Sequence, residues 1–340
     1  MAFAPGAVVG PYRILEELGR GGMATVWKAY HEALERHVAI KVLHPSFTEE
    51  EAFLDRFQQE AKALARLSHS NIVPIHDYSE HDRNPYLVMR YVEGHTLHHY
   101  LHGRRLSLSE IVEIVRPVGD ALAYAHGQGV LHRDIKPGNI ILTFDGEVVL
   151  SDFGLAKLVE KDEALARELL MGTPQYISPE QAKADPLDNR TDLYSLGVVL
   201  FEMIAQRVPF DGDTPYDVIH RHIYDPPPSV SALRPDVPAA VDEVLQIAMA
   251  KQPQDRYPDI QTMMADLEAA ILGTEPARLQ PRAAEPVPLA SQPPPQVERR
   301  PPGPTRVSPV RRPPYLLLAG AVLLLAACGV AFLALNSGLF

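Results

Sequence analysis

The pattern of apolar and polar positions changes character once along the folded part of the chain. Before residue 100, short apolar runs predict strands at Tyr12–Leu18, Thr25–Tyr30, Val38–Val42 and Tyr86–Tyr91. Beyond Ser107, apolar residues recur at helical spacing over Leu108–His126, Asp192–Ala205 and Pro238–Ala250. One earlier helix is signalled by Thr48-Glu49-Glu50-Glu51, which reads as a capping box. Phe57 and Leu64 define its inward face, and Glu60 falls on or beside that stripe. A hairpin is predicted from Ile140–Thr143, an Asp145-Gly146 turn and Val148–Ser151. Strands early and helices late give an α+β chain with two lobes, and no internal repeat is visible.

The pattern breaks again near the end. Thr274 to Pro314 holds 13 prolines and few large apolar residues, so it cannot bury enough surface to offset chain entropy. It reads as an extended linker with polyproline II character. Seven Arg against three Glu give it a net charge of +4. The twenty residues Leu316–Leu335 carry no charge and follow Arg311 and Arg312. At about 1.5 Å per residue they are long enough to cross a hydrocarbon core of about 30 Å. The positive-inside rule then puts everything N-terminal on the cytoplasmic side. The expected organisation is a folded domain over 1–273, a linker over 274–314, a membrane-spanning helix over 315–335 and a short outer tail over 336–340, too short for a sensor domain. The basic arm reads either as a contact for anionic headgroups or as a plain spacer with an arginine stop signal.

Composition narrows the classes. The chain has 340 residues, with 32 Lys and Arg against 43 Asp and Glu and a net charge of −11. Residues 1–273 account for 25 of the bases and 40 of the acids. That acidity argues against a dedicated nucleic-acid binder. At 46% apolar residues the chain can bury a real core. Cys328 is the single cysteine, which excludes an intrachain disulfide framework and a zinc site built mainly on thiolates. Met1–Gly10 has no basic patch ahead of its apolar run and does not read as a signal peptide.

Four segments carry candidate chemistry. Leu18-Gly19-Arg20-Gly21-Gly22-Met23-Ala24-Thr25-Val26 lies between two predicted strands, where glycines let backbone N–H groups approach a phosphate. It is neither a Walker A loop nor a dinucleotide fingerprint, because no Gly-Lys-Ser/Thr follows and a strand comes next. Lys41 ends the apolar run Val38-Ala39-Ile40-Lys41. A buried ammonium there needs an anion, and Glu60 would supply one. Read singly, Lys41 fits an edge lysine reaching solvent better, and Glu60 also fits a carboxylate at the edge of its stripe. His132-Arg133-Asp134-Ile135-Lys136-Pro137-Gly138-Asn139 sets titratable groups between buried segments, and Asp152-Phe153-Gly154 closes the hairpin that follows. The hairpin should return Asp152 towards Asn139. Two oxygen ligands there suit a hard divalent cation and leave Asp134 to accept a hydroxyl proton.

These motifs, with Ser178-Pro179-Glu180 further on, occur in the order of a protein kinase, and the chain resembles that family from about Tyr12 to Leu272. Lys136 in the catalytic loop, and the segment Gly172 to Glu180, are similar to bacterial serine/threonine kinases of the eukaryotic-like type. The resemblance implies a bilobal kinase fold with a small β-rich N-lobe and a larger helical C-lobe. It implies ATP as phosphoryl donor, with Mg²⁺ or Mn²⁺, and protein Ser/Thr hydroxyls as acceptors. Leu18, Gly19, Arg20, Gly21, Gly22 and Ala24 would cover the phosphates, and Lys41 would hold them while pairing with Glu60. Asp134 would deprotonate the acceptor, Lys136 would steady the γ-phosphate, and Asn139 and Asp152 would hold the metal. Val26, Ala39 and Ile141 would sandwich adenine, Met89 would guard the back pocket, and Tyr91 and Val92 would form the hinge. Glu180 should pair with Arg256, and Asp192 should brace the catalytic loop.

Three departures qualify the resemblance. Ala24 stands where a third glycine is usual, and Arg90 where the hinge often has Glu. Neither should abolish nucleotide binding. No Ser or Thr lies between Asp152 and Thr173, although Arg133 is present to receive a phosphate. Either acidic residues such as Asp162, Glu163 or Glu168 substitute for it, or homodimer contacts order the loop, or Arg133 simply caps local carbonyls. Thr173 is expected to help position Asp134 and Lys136. A pseudokinase scaffold and a small-molecule kinase are the competing functional readings. The intact Lys41, Glu60, Asp134, Asn139 and Asp152 weigh against the first, and Lys136 with the Gly172–Glu180 segment against the second.

Overall fold

The computed structural model describes residues 3–47, 51–153 and 174–274. The expected loop residues 154–173, the linker after 274, the span 315–335 and the tail 336–340 lie outside the described residues, as do Thr48 to Glu50 of the capping box. Among the described residues no helix is long and apolar enough to cross a membrane.

The first lobe is built on a six-stranded antiparallel sheet of β1 (Val8–Val9), β2 (Tyr12–Arg20), β3 (Ala24–His31), β4 (Arg36–Leu43), β5 (Ile75–His81) and β6 (Asn84–Arg90), in the order β1-β2-β3-β4-β6-β5. Register assigns each side chain to a face. Val26 lies opposite Lys41, Ala39 opposite Met89, and Lys41 opposite Leu87, so these side chains share one side of the sheet. The alternate positions Trp27, Ala29, Val38, Ile40, Val42, Tyr86 and Val88 form a second core on the other side. Phe3 closes this outer core, with its ring edge-on to His81 and Tyr86 at 5.9 Å from each. Two register shifts in β2, at Ile14/Glu16 and Glu17/Gly19, twist the strand just before the glycine-rich turn.

Helix α1 (Glu51–Leu64) buries Phe53, Phe57, Ala61 and Leu64 in the main core, and that core runs on without interruption into the helical lobe. After β7 (Gly94–Thr96) and the short α2 (Leu97–Leu101) come α3 (Leu108–Gly127), the hairpin β8 (Ile140–Thr143) and β9 (Val148–Leu150), α4 (Pro179–Ala182), α5 (Asn189–Ala205), α6 (Pro215–Tyr224), α7 (Ala239–Ala248) and α8 (Ile260–Leu272). The Ser107–Glu110 capping box starts α3, which packs against α5, α8 and β9. Every residue of α5 from Thr191 to Phe201 is buried, so this helix is the axis of the lobe. Gly94 is required where β7 crosses β8, because a Cβ there would sit 2.2 Å from the Leu142 carbonyl oxygen.

The strands and helices predicted within the described residues all occur, with ends moved by a few residues. Several elements had no strong apolar pattern, β5, β1, α6 and α8 among them. Strand β5 has the polar sequence Ile-His-Asp-Tyr-Ser-Glu-His and sits at the sheet edge, and β1 has two residues. Helix α6 buries only Val218 and His222, and α8 starts from an Asp259 cap that the apolar spacing does not reveal.

Candidate active site

The site assembles where the β8–β9 hairpin meets the sheet. The Ser151 N–H and its hydroxyl both donate to the Asn139 carbonyl, at 2.8 and 3.2 Å. The two ends of the hairpin are thereby tied together, as the Asp145-Gly146 turn implied. The chain between α1 and β5 clamps the hairpin from the other side. The Leu150 N–H donates to the Asn71 carbonyl, the Val73 N–H to the Leu150 carbonyl, and the Asn71 amide to the Val148 carbonyl.

Asp134, Lys136 and Asn139 converge within this frame. Lys136 Nζ lies 2.7 Å from Asp134 Oδ2. Asn139 Nδ2 donates to the same oxygen at 2.9 Å and to the Asp134 carbonyl at 2.8 Å. The Asp134 carboxylate is therefore aimed and charge-balanced from two sides. Its own N–H donates to His132 Nδ1 at 3.2 Å. That makes Nδ1 an acceptor, so Nε2 carries the proton and donates to the Ser151 carbonyl at 3.0 Å. Burial lowers the His132 pKa and keeps this tautomer neutral. The His132 ring lies 4.5 Å from that of Phe153, centroid to centroid.

Asp192, on α5, fixes the loop from below. Its carboxylate accepts from the N–H groups of His132 and Arg133 at 2.8 and 2.7 Å, and from His126 Nε2 at 2.7 Å. Burial opposes its ionisation, but the His126 hydrogen bond and the neighbouring donors outweigh it and hold the carboxyl below the usual range. The grip explains how Arg133 keeps a left-handed φ of 65°, which costs a non-glycine residue about 1–2 kcal/mol. Gln181 Nε2 adds a bond to the Arg133 carbonyl at 2.8 Å. The expected brace by Asp192 is present, and so is the expected Glu180–Arg256 pair. Arg256 donates twice to Glu180 at 2.7 Å, and Thr191 donates to the same carboxylate at 2.8 Å.

The expected Lys41–Glu60 pair is replaced by two others. Lys41 Nζ donates to Asp152 Oδ1 at 2.8 Å, and Arg133 Nη1 donates to Glu60 Oε1 at 3.0 Å. Asp152 has a left-handed φ of 57°, which turns its carboxylate to the ammonium. Burial resists its charge, but Lys41 outweighs that and holds the carboxyl below the usual range. Burial pushes Glu60 the other way, up, against the pull of Arg133. Helical spacing placed Glu60 correctly at the edge of its stripe but did not distinguish two cations that arrive from distant parts of the chain. Arg133 was expected to bind a phosphate or cap carbonyls, and its bond to Glu60 had no local signal.

The other candidate residues fall as follows. Leu18, Gly19 and Arg20 end β2, Gly21 and Gly22 form the turn, and the Gly21 N–H donates to the Ala24 carbonyl at 2.9 Å. Arg20 pairs with Glu17 at 2.7 Å. Val26, Ala39, Lys41 and Met89 share one sheet face, Tyr91 and Val92 follow β6, and Ile141 lies on β8. Met89 borders an apolar cavity with Leu64, Ile72, Ile75, Asp152 and Phe153.

Comparison with known proteins gives a consistent result. Residues 12–266 match the protein kinase domain family. The chain is 39% identical over 258 residues to the probable serine/threonine-protein kinase PknB of Lactococcus lactis, covering 75% of this chain and 41% of that protein. It is 41% identical over 254 residues to the serine/threonine-protein kinase PknA of Mycobacterium tuberculosis, covering 73% of this chain and 58% of that one. The match thus spans between two fifths and three fifths of those relatives. The crystal structure of the Mycobacterium tuberculosis PknI kinase domain is similar at 30% identity with a TM-score of 0.65, covering 79% of this chain and all of that one. With the family match covering most of its length, the chain belongs to the protein kinase domain family.

Proposed function

We propose that the chain transfers the γ-phosphoryl group of ATP to Ser or Thr hydroxyls of proteins, itself included. The observation that carries this reading is the convergence of Lys136 and Asn139 on the Asp134 carboxylate, in a loop tied to the Asp152 end of the hairpin. Asp134 accepts the proton of the incoming hydroxyl as its oxygen bonds to the γ-phosphorus and the bond to the leaving ADP oxygen breaks. Lys136 offsets the charge on the transferred group. Lys41, on the sheet face shared with Val26, Ala39 and Met89, binds the phosphates behind it. The side-chain oxygens of Asn139 and Asp152 are hard donors, and they fit Mg²⁺, which takes one or two protein oxygens and completes its shell with substrate phosphates and water. When bound, the ion would be held by Asn139 and Asp152 and would supply neutralisation of phosphate charge.

The test is transfer from radiolabelled Mg·ATP to a generic basic protein by the full-length chain, followed by phosphoamino-acid analysis. Label on Ser or Thr that disappears in Asp134→Asn is the expected outcome. Equal label in that variant would reject the role of Asp134, and absence of label in both would favour a scaffold. The uncharged span at 315–335, after Arg311 and Arg312, supports a further part of the reading, that the kinase is held at the cytoplasmic face of a membrane as a signalling enzyme. Retention of the chain in carbonate-washed membranes, with residues 1–273 protected from external protease, is expected.

A further inference from the structure

The sheet face that carries Val26, Ala39 and Lys41 continues past those residues. Lys28 lies opposite Ala39, which lies opposite Met89, and Tyr30 lies opposite His37. Alternation puts Lys28, Tyr30 and His37 on the same face as Val26, Ala39 and Lys41. Beside them stands Tyr91, the first residue after β6. Strand β4 pairs with β6 as far as Arg90, and β7 begins its pairing at Gly94. Sheet pairing therefore does not hold Tyr91 or Val92.

Side chains take over that task. Lys28 Nζ lies 4.5 Å from the centre of the Tyr91 ring, within cation–π range. The His37 ring meets Tyr91 edge-on at 6.0 Å, and Tyr30 meets His37 edge-on at 5.3 Å. Arg13 extends the row, with its guanidinium carbon 5.9 Å from the centre of the Tyr30 ring. The row thus crosses β2, β3 and β4 and ends on the connection to β7. Glu32 pairs with Arg13 at 2.7 Å, and Glu16 lies 3.7 Å from Lys28. The Lys28 side chain is 19% exposed and that of Glu16 63%. The carboxylate is the wetter and looser of the two partners, and a cation on a ring gains strength as water is excluded.

A fixed connection matters to a ligand that is read by its backbone. When only a fraction of the molecules holds the binding form, apparent affinity falls by that fraction. Ordering the stretch beforehand removes the loss. We infer that Lys28 and His37 are positioning residues for the nucleotide: through the Tyr91 ring they hold the 91–92 backbone in the form that receives adenine. The inference rests on the ATP reading above and deepens it. Strand β3 then serves one ligand twice, with Val26 against the base and Lys28 steadying the chain at the edge of the base. The other route open to a cation, attraction to the phosphates, predicts a loss that grows with the number of phosphates.

Calorimetric titration of the full-length chain in mild detergent separates these routes, with adenosine, ADP and Mg·ATP as ligands. K28M is expected to weaken all three by the same factor, about three-fold, and K28R to restore them, because a guanidinium also sits on a ring. H37A should weaken all three at least about two-fold, and H37F, which keeps a ring, should not. Turnover at saturating ATP and KM for the protein acceptor should not change in K28M. Equal affinities in wild type and K28M would overturn the inference. A loss in K28M that increases from adenosine to ATP would overturn it too, by assigning Lys28 to the phosphates. A lowered thermal melt with unchanged affinities would leave the row a purely structural part and reject its role in binding. Absence of binding of any nucleotide by wild type would reject the ATP reading itself, and this inference with it.

Discussion

The ion pairs on the sheet side of the cleft and those in the helical platform beneath it are built differently. Glu180 and Arg256 are fully buried and joined by two parallel hydrogen bonds, with Thr191 as a third donor. Asp192 is equally buried and has three donors. On the other side, Lys41 meets Asp152 through one contact and Arg133 meets Glu60 through one contact, and the Glu60 and Arg133 side chains are 28% and 29% exposed. A buried bidentate pair cannot change partners without leaving a charge stranded in low dielectric. A partly exposed single contact such as Arg133–Glu60 can do so at smaller cost, because water reaches the released group. The platform therefore fixes the Asp134 loop, while the Lys41–Asp152 and Arg133–Glu60 pairs are each held by a single contact.

Four predictions break or sharpen that contrast. The largest effect belongs to the reacting groups. Asp134→Asn, Lys41→Met and Asp152→Asn should each cut turnover about 10²- to 10⁴-fold. Their circular-dichroism melts should match wild type, and unchanged turnover in any of them would remove that residue from the chemistry. Next, Arg256→Met strands the Glu180 carboxylate and should cost about 3–5 kcal/mol in urea unfolding. A loss under about 1 kcal/mol would erase the contrast with the cleft.

The third prediction concerns pH. Burial and the nearby Lys251 ammonium push His222 down from 6.5 to about 3. Between those values the unfolded chain binds the extra proton, so stability falls as the pH drops below about 6.5. By pH 5 the loss from this residue is about 2 kcal/mol, and His222→Phe should flatten that limb of the unfolding curve. The smallest effect is at Glu60. Glu60→Gln should change unfolding free energy by less than about 1 kcal/mol, while ATP affinity and turnover, measured together, report whether Lys41 uses this carboxylate during the reaction.

What the sequence revealed follows the reach of each signal. Alternation along Val38–Val42 separates the Ala39 and Lys41 face from the Ile40 face, and the structure keeps that division. The hairpin was legible because Asp145-Gly146 is a local turn signal, and Gly146 indeed takes a φ of 88°. The Glu180–Arg256 and Asp192 contacts span 76 and about 60 positions, and no periodicity reaches so far. They were foreseen through family resemblance alone. The partner of Glu60 was misassigned because helical phase fixes a face, not which of two cations meets it. Strand β5 went unseen because its edge position asks for no apolar alternation.

Trp27 is the only tryptophan of the chain, and it lies in the outer core, on the side of the sheet away from Lys41. Its peptide neighbour Val26 faces the cleft opposite Lys41. Tryptophan fluorescence, excited where tyrosine does not absorb, is therefore a label confined to the strand lobe. Emission should register nucleotide-driven adjustment of β3 and melting of that lobe, and stay silent while the helical platform unfolds on its own.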